Sequence, residues 1–156
     1  MKSQELGQQL ERINSLFERS QEACGDNVEM LSHWAKYLCV LVAGFLENAI
    51  EDVYSRFVMS AASEPVQNYA ISRLSTIQNP KTGRFIEVAQ SFKKSWGEEL
   101  EIFVNEDGRR EAIDSIMQNR HQIVHGQHSG VTLARVRDYL RKSLRVIEFL
   151  EAQCGL

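Results

Sequence analysis

Leu38-Cys39-Val40-Leu41-Val42-Ala43-Gly44-Phe45-Leu46 is apolar on every face of a helix, and the fold turns on how that stretch is read. A helix apolar all round must be covered on most sides, so it belongs at the centre of a bundle. Ten uncharged residues, Tyr37 to Leu46, lie between Lys36 and Glu47, about half of the ~20 that a membrane-spanning helix needs. The run is therefore read as a core segment. Outward from it, Leu31, Trp34, Leu38, Leu41, Phe45, Val53 and Phe57 keep three- and four-residue spacing as far as Ser60-Ala61-Ala62-Ser63. Asp26 with Glu29 offers an N-cap for this long helix, and Gly44 reads as a close-packing point or mild bend.

The same rhythm runs through the rest of the chain. Leu6, Leu10, Ile13 and Phe17 predict a first amphipathic helix ended by Gly25. Ser63-Glu64-Pro65 starts a short helix to about Leu74, and Asn79-Pro80-Lys81-Thr82-Gly83 is a turn. A helix with Phe85, Val88 and Phe92 follows, then another, capped by Ser95 and Glu98, that carries Leu100, Ile102 and Phe103. After the turn Asn105-Glu106-Asp107-Gly108, a helix through Ile113, Ile116 and Met117 ends where Gly126 can turn left-handed. The last helix starts near Thr132 and shows Leu133, Val136, Leu140, Leu144, Ile147 and Leu150. No stretch alternates long enough to demand a strand. The expectation is an all-α helical bundle with a long central helix, one domain over residues 1–156.

Composition excludes several classes. Two prolines, nine glycines, 43% apolar and 25% charged residues are incompatible with a collagen-like or wholly disordered chain. The first residues, Met1-Lys2-Ser3-Gln4-Glu5, lack the apolar stretch of a signal peptide, which predicts a cytoplasmic protein with no membrane association. Cys24, Cys39 and Cys154 are widely spaced and contain no C-x-x-C pair, so they read as ordinary small, partly buried residues. The net charge of −3 conceals a gradient: residues 1–52 hold four Lys/Arg against nine Asp/Glu, and residues 120–145 hold six against Asp138 alone. A local basic surface is what meets phosphate, so the C-terminal third is where an RNA contact is expected.

The chemistry-bearing segment is Asn119-Arg120-His121-Gln122-Ile123-Val124-His125-Gly126. Arginine offers a permanently charged planar fork for phosphate oxygens, and histidine exchanges protons at neutral pH. Together they can cleave RNA without a metal, histidine moving the proton of the 2′-hydroxyl or of the leaving oxygen. Arg120 and His125 would stand about 140° apart on a continuous helix. They converge only if the last turn bends or if a second copy faces the first. By spacing alone, a solvated helix end with His125 as a favourable charge at the C-terminus remains open. His121, His125 and His128 could form a metal site, but no Glu follows His121 and no Cys or Asp lies close, so no metal is assigned. Arg135, Arg137, Arg141, Lys142 and Arg145 read equally as an RNA-tracking stripe or a solvated face. Trp34, Tyr37 and Tyr54 are taken as packing residues.

Arg120-His121-Gln122-Ile123-Val124-His125-Gly126 resembles the signature of the HEPN superfamily, and the long apolar helix with Phe45-Leu46-Glu47 and the last helix from Val131-Thr132 are similar to its RiboL-PSP-associated branch. The resemblance covers roughly residues 27–153 and is sharpest at the Arg-to-His motif. It implies a metal-independent endoribonuclease that needs no cofactor and acts as a homodimer with two motifs in one cleft. Carried onto this chain, it makes Arg120 and His125 catalytic, with His121 at a position where Asn or Asp is commoner. Asn119, His121 and Glu47, with Glu51 as the other acidic candidate, become substrate-positioning; from the basic stripe itself, Arg137, Arg141 and Lys142 are the expected RNA contacts. A toxin or defence role follows by analogy, with an antitoxin or other protein as a further partner. The alternative is a non-catalytic module of the same fold that dimerises, binds RNA or nucleotide, and docks a partner protein. A purely structural bundle is the third reading.

Overall fold

The computed structural model describes residues 3–156, and among them the chain forms seven helices and no strand. These are α1 (Gln4–Cys24), α2 (Val28–Ala61), α3 (Glu64–Leu74), α4 (Thr82–Phe92), α5 (Lys94–Val104), α6 (Arg109–Val124) and α7 (Leu133–Gln153). The all-apolar stretch lies in the middle of α2, a helix of 34 residues and so about 51 Å long. It packs against α1, α3, α6 and α7. Leu38, Phe45, Leu46, Ile50, Val53 and Tyr54 are wholly buried. A core side chain of this size contributes about 1.5–3 kcal/mol on leaving water. One continuous apolar cluster draws on all seven helices. Tyr54 stacks on Phe92 at 4.9 Å between ring centroids, while Phe103 and Phe149 tie α5 to α7 at 4.3 Å.

Helix ends follow local chemistry with three shifts from the sequence reading. The N-cap of α2 is Asn27, whose Oδ1 accepts from the Met30 N–H at 3.1 Å, and not Asp26. Gly25 and Asp26 are spent on the turn that leaves α1, with Gly25 at φ 50°. Thr82 begins α4 instead of ending the preceding turn. Its N–H donates to the Asp114 carboxylate of α6 at 2.8 Å, so a tertiary contact does the work of a local cap. Helix α5 starts at Lys94, one residue before the Ser95 cap that the sequence suggests, and no side chain caps it.

Two expectations about packing are overturned. A Cβ on Gly44 would meet nothing within 4 Å beyond its own helix backbone, so this glycine is no close-packing point. Trp34, which keeps the apolar rhythm, and Tyr37, taken as a packing residue, both lie outside the core cluster. They meet edge to face at 5.7 Å, with Tyr37 48% exposed, and neither packs against the core cluster among the described residues. Cys24 and Cys39 are buried and Cys154 is half-buried, as read from the sequence. Burial pushes the Cys39 thiol up to about 12, and its Sγ donates to the Ile116 carbonyl at 3.7 Å, which locks α2 to α6. No helix of the described residues is long and apolar enough to cross a membrane.

Candidate Arg and His site at the end of α6

The motif occupies the last turn of α6 and the residues just after it. Gly126 takes φ 66°, its N–H donates to the Ile123 carbonyl at 3.1 Å, and the Gln127 N–H donates to the Gln122 carbonyl at 2.8 Å. This pair of bonds is a Schellman closure, which requires a residue comfortable in the left-handed region and explains the glycine directly after His125. His125 is the C-cap, at φ −90° and ψ 13°. Its ring rests against that of His121, 4.4 Å between centroids, as four-residue spacing dictates.

Arg120 is half-buried and His125 exposed. Neither side chain takes part in a hydrogen bond or ion pair among the described residues, so none joins the two. His121 is likewise exposed and without a polar partner among the described residues. No group of three or more His, Cys, Asp or Glu side chains suited to a metal ion occurs among the described residues.

The neighbours divide into those that build the site and those placed elsewhere. Asn119 uses its whole amide within the fold: Nδ2 donates to the Ser115 carbonyl at 2.8 Å, and Oδ1 accepts from Ser129 Oγ at 2.7 Å. Ser129, 2% exposed, is the residue that sequence reasoning missed. It pins the loop between α6 and α7 onto the helix that carries Arg120. Its only sequence signal is a hydroxyl in a glycine-flanked loop, too common to single out. Glu47 accepts from the Asn79 N–H and so holds the turn before α4, where Asn79 sits at φ 48°. It makes no hydrogen bond or ion pair to Arg120 or His125 among the described residues.

The basic stripe is split by its acids. Arg141 and Lys142 both bind Asp138, at 2.7 and 2.8 Å, and these bonds hold the Asp138 carboxyl below its usual range. Arg145 pairs with Glu148. Arg141, Lys142 and Arg145 border a hollow with Arg109 and Phe103 at the opening end of α6, eleven residues and so roughly 16 Å from Arg120. Arg137 stays at the motif's end of α7, its guanidinium over the Phe17 ring at 5.2 Å. Of the three residues expected to contact RNA, Arg137 alone is thus brought near the motif.

Replacing Ser129 by alanine removes the bond that anchors the loop and leaves a half-buried amide oxygen without its donor. A loss of about 1–3 kcal/mol in denaturant unfolding, with faster hydrogen exchange at Gly126–Gly130, is expected. Exchange rates unchanged from wild type would show that the Asn119 tie does not hold the loop.

The bundle thus carries, at the glycine-terminated end of α6, an arginine and a histidine without a hydrogen-bond or ion-pair partner among the described residues. The chain belongs to the RiboL-PSP-HEPN family, whose model matches residues 4–155. The match takes in α1, which the sequence resemblance beginning near residue 27 left out. HEPN-type modules are often ribonucleases, and they often dimerise and bind RNA. No curated protein and no solved structure gives a significant match to the chain.

Proposed function

We propose that this chain is a single helical domain that acts, as a homodimer, as a metal-independent endoribonuclease. The observation that carries the reading is that neither Arg120 nor His125 has a hydrogen-bond or ion-pair partner among the described residues: two groups suited to phosphate and proton are held at a fixed helix end. A second copy brings a second Arg120 and His125 to the same cleft. One His125 takes the proton of the 2′-hydroxyl, the 2′-oxygen attacks phosphorus, and the 5′-oxygen leaves with a proton from the other copy's His125 or, more slowly where that histidine is missing, from water. Arg120 neutralises the phosphoryl oxygens as charge develops. The products are a 2′,3′-cyclic phosphate and a 5′-hydroxyl. In this scheme Asn119 positions the site through the Ser129 loop, Glu47 through the turn before α4, and His121 through its ring contact with His125. Arg137 binds the strand, with Arg141 and Lys142 reaching only a longer one. A cytoplasmic toxin or defence effector, with a protein partner that restrains it, is the biological role that fits.

The test is cleavage of single-stranded RNA beside its all-2′-deoxy counterpart, with and without EDTA. Cleavage of RNA alone, unaffected by chelator and leaving cyclic phosphate ends, is expected. Equal cutting of the deoxy strand, or loss of activity in EDTA, refutes the mechanism. The absence of a hydrogen bond or ion pair between Arg120 and His125 among the described residues favours a second reading in the absence of dimerisation, a non-catalytic RNA- or nucleotide-binding module that docks a protein. Under that reading RNA binds and is not cut.

A further inference from the structure

A cavity of about 710 Å³ opens beside the motif, walled by Phe17 of α1, Val28 and Leu31 of α2, and Val131 and Leu133 where α7 begins. That volume is within the roughly 300–1,000 Å³ of small-molecule sites, whose mix of apolar walls and a few polar groups it shares. Its ionisable lining residues are Lys36, His128 and Arg137, and no Asp or Glu lines it among the described residues. In a chain with 21 acidic residues against 18 Lys and Arg, that exclusion marks a place suited to an anion. Neither Lys36 nor Arg137 has a carboxylate partner among the described residues. Arg137 rests instead on the face of Phe17, which leaves the edge of its fork open to phosphate oxygens. The first turns of α2 and α7 both reach the cavity and add the positive ends of two helix dipoles, against the one C-terminal turn of α1.

We propose that this cavity is a subsite for one nucleotide of a single-stranded RNA, its apolar wall taking the base and Lys36 with Arg137 taking the phosphate. The identity of the strand rests on the ribonuclease reading; the pocket's chemistry does not. Three connections put the cavity on the path to the motif. His128 lies on its rim three residues after His125, at most about 11 Å along the chain. Ser129 lines it and bonds Asn119, the residue before Arg120. Lys36 is one turn before Cys39, which is bonded to α6 at Ile116. A base seated here holds the next phosphates toward Arg120 and His125, so the cavity selects and orients the strand.

The experiment measures binding of a fluorescent 2′-O-methyl oligoribonucleotide, which cannot be cut, to the full chain by anisotropy across a salt series. Lys36→Ala and Arg137→Ala are each expected to weaken binding about tenfold and to lower the slope of log affinity against log salt by about 0.7. Ala134→Trp, at an exposed lining residue outside the core, fills the cavity and is expected to cost at least as much, while AMP competes only at far higher concentration than the oligonucleotide. Unchanged affinity in all three variants overturns the subsite, and AMP binding as tightly as the oligonucleotide overturns its assignment to a strand. Cleavage of ordinary RNA by the same proteins separates the two proposals. If wild type binds through the cavity yet cuts nothing, the subsite stands and the ribonuclease reading falls. If wild type cuts and the cavity variants bind and cut as well as it does, the subsite falls and the ribonuclease reading stands.

Discussion

Arg120→Ala and His125→Ala are each expected to lower the rate of RNA cleavage by about 10²–10⁴, with circular dichroism and melting temperature close to wild type. The magnitude is that of a removed general acid or base for the histidine, and of a removed charge stabiliser at the reacting phosphate for the arginine. Folding should be spared because neither side chain is fully buried or has a hydrogen-bond or ion-pair partner among the described residues, so no desolvated partner is orphaned there. If the two residues act as one unit, the double variant will be scarcely slower than either single one. Mixing the two single variants gives a sharper measure. A heterodimer of Arg120→Ala and His125→Ala chains retains one arginine and one histidine in a shared cleft, so partial recovery is expected if the site is built across two copies. Full wild-type activity in either single variant would sink the assignment of that residue, and recovery absent from mixtures proven to contain heterodimer would sink the shared cleft.

Phe45→Ala is expected to cost about 3–5 kcal/mol in unfolding free energy, the upper range for truncating one core side chain. Phe45 is wholly buried at the midpoint of α2, among side chains from several helices, so the space left behind cannot collapse from one side alone. Against a typical total of about 5–15 kcal/mol, such a loss brings the domain close to the point where an appreciable fraction is unfolded. Denaturant titration checks it, with Tyr37→Ala as the contrasting case: Tyr37 shares the helix and the aromatic character, yet is half exposed and should cost far less. Equal losses at the two positions would show that α2 is covered on both flanks in solution.

Much of the fold was legible because helical bundles are written in local terms. Three- and four-residue spacing, with the Ser63-Glu64-Pro65 start signal for α3, located the seven helices of the described residues, the glycines at 25, 108 and 126 marked turns that need positive φ, and the unbroken apolar run identified the helix at the centre. What misled was local evidence for a tertiary fact. Asp26 and Asn27 are both good caps, and which one caps depends on how much chain the turn after α1 consumes. Thr82 begins a helix because Asp114, thirty-two residues away, accepts its N–H. Trp34 fits the apolar rhythm, but rhythm cannot say whether a neighbour arrives to cover it.

The site divides in the same way. The sequence by itself determined that an arginine and a histidine stand at the end of a helix, since a charged helical rhythm and a following glycine are properties of adjacent residues. It also determined the family, through the match over residues 4–155. Only the tertiary structure decided what these groups face. Folding commits Asn119 to Ser129, Glu47 to Asn79, and Arg141 and Lys142 to Asp138, and leaves Arg120, His125 and Arg137 without a carboxylate partner among the described residues. The physical reason is range: a cap or a helix face is settled within about four residues, whereas a charge is free or neutralised according to every chain segment that reaches it.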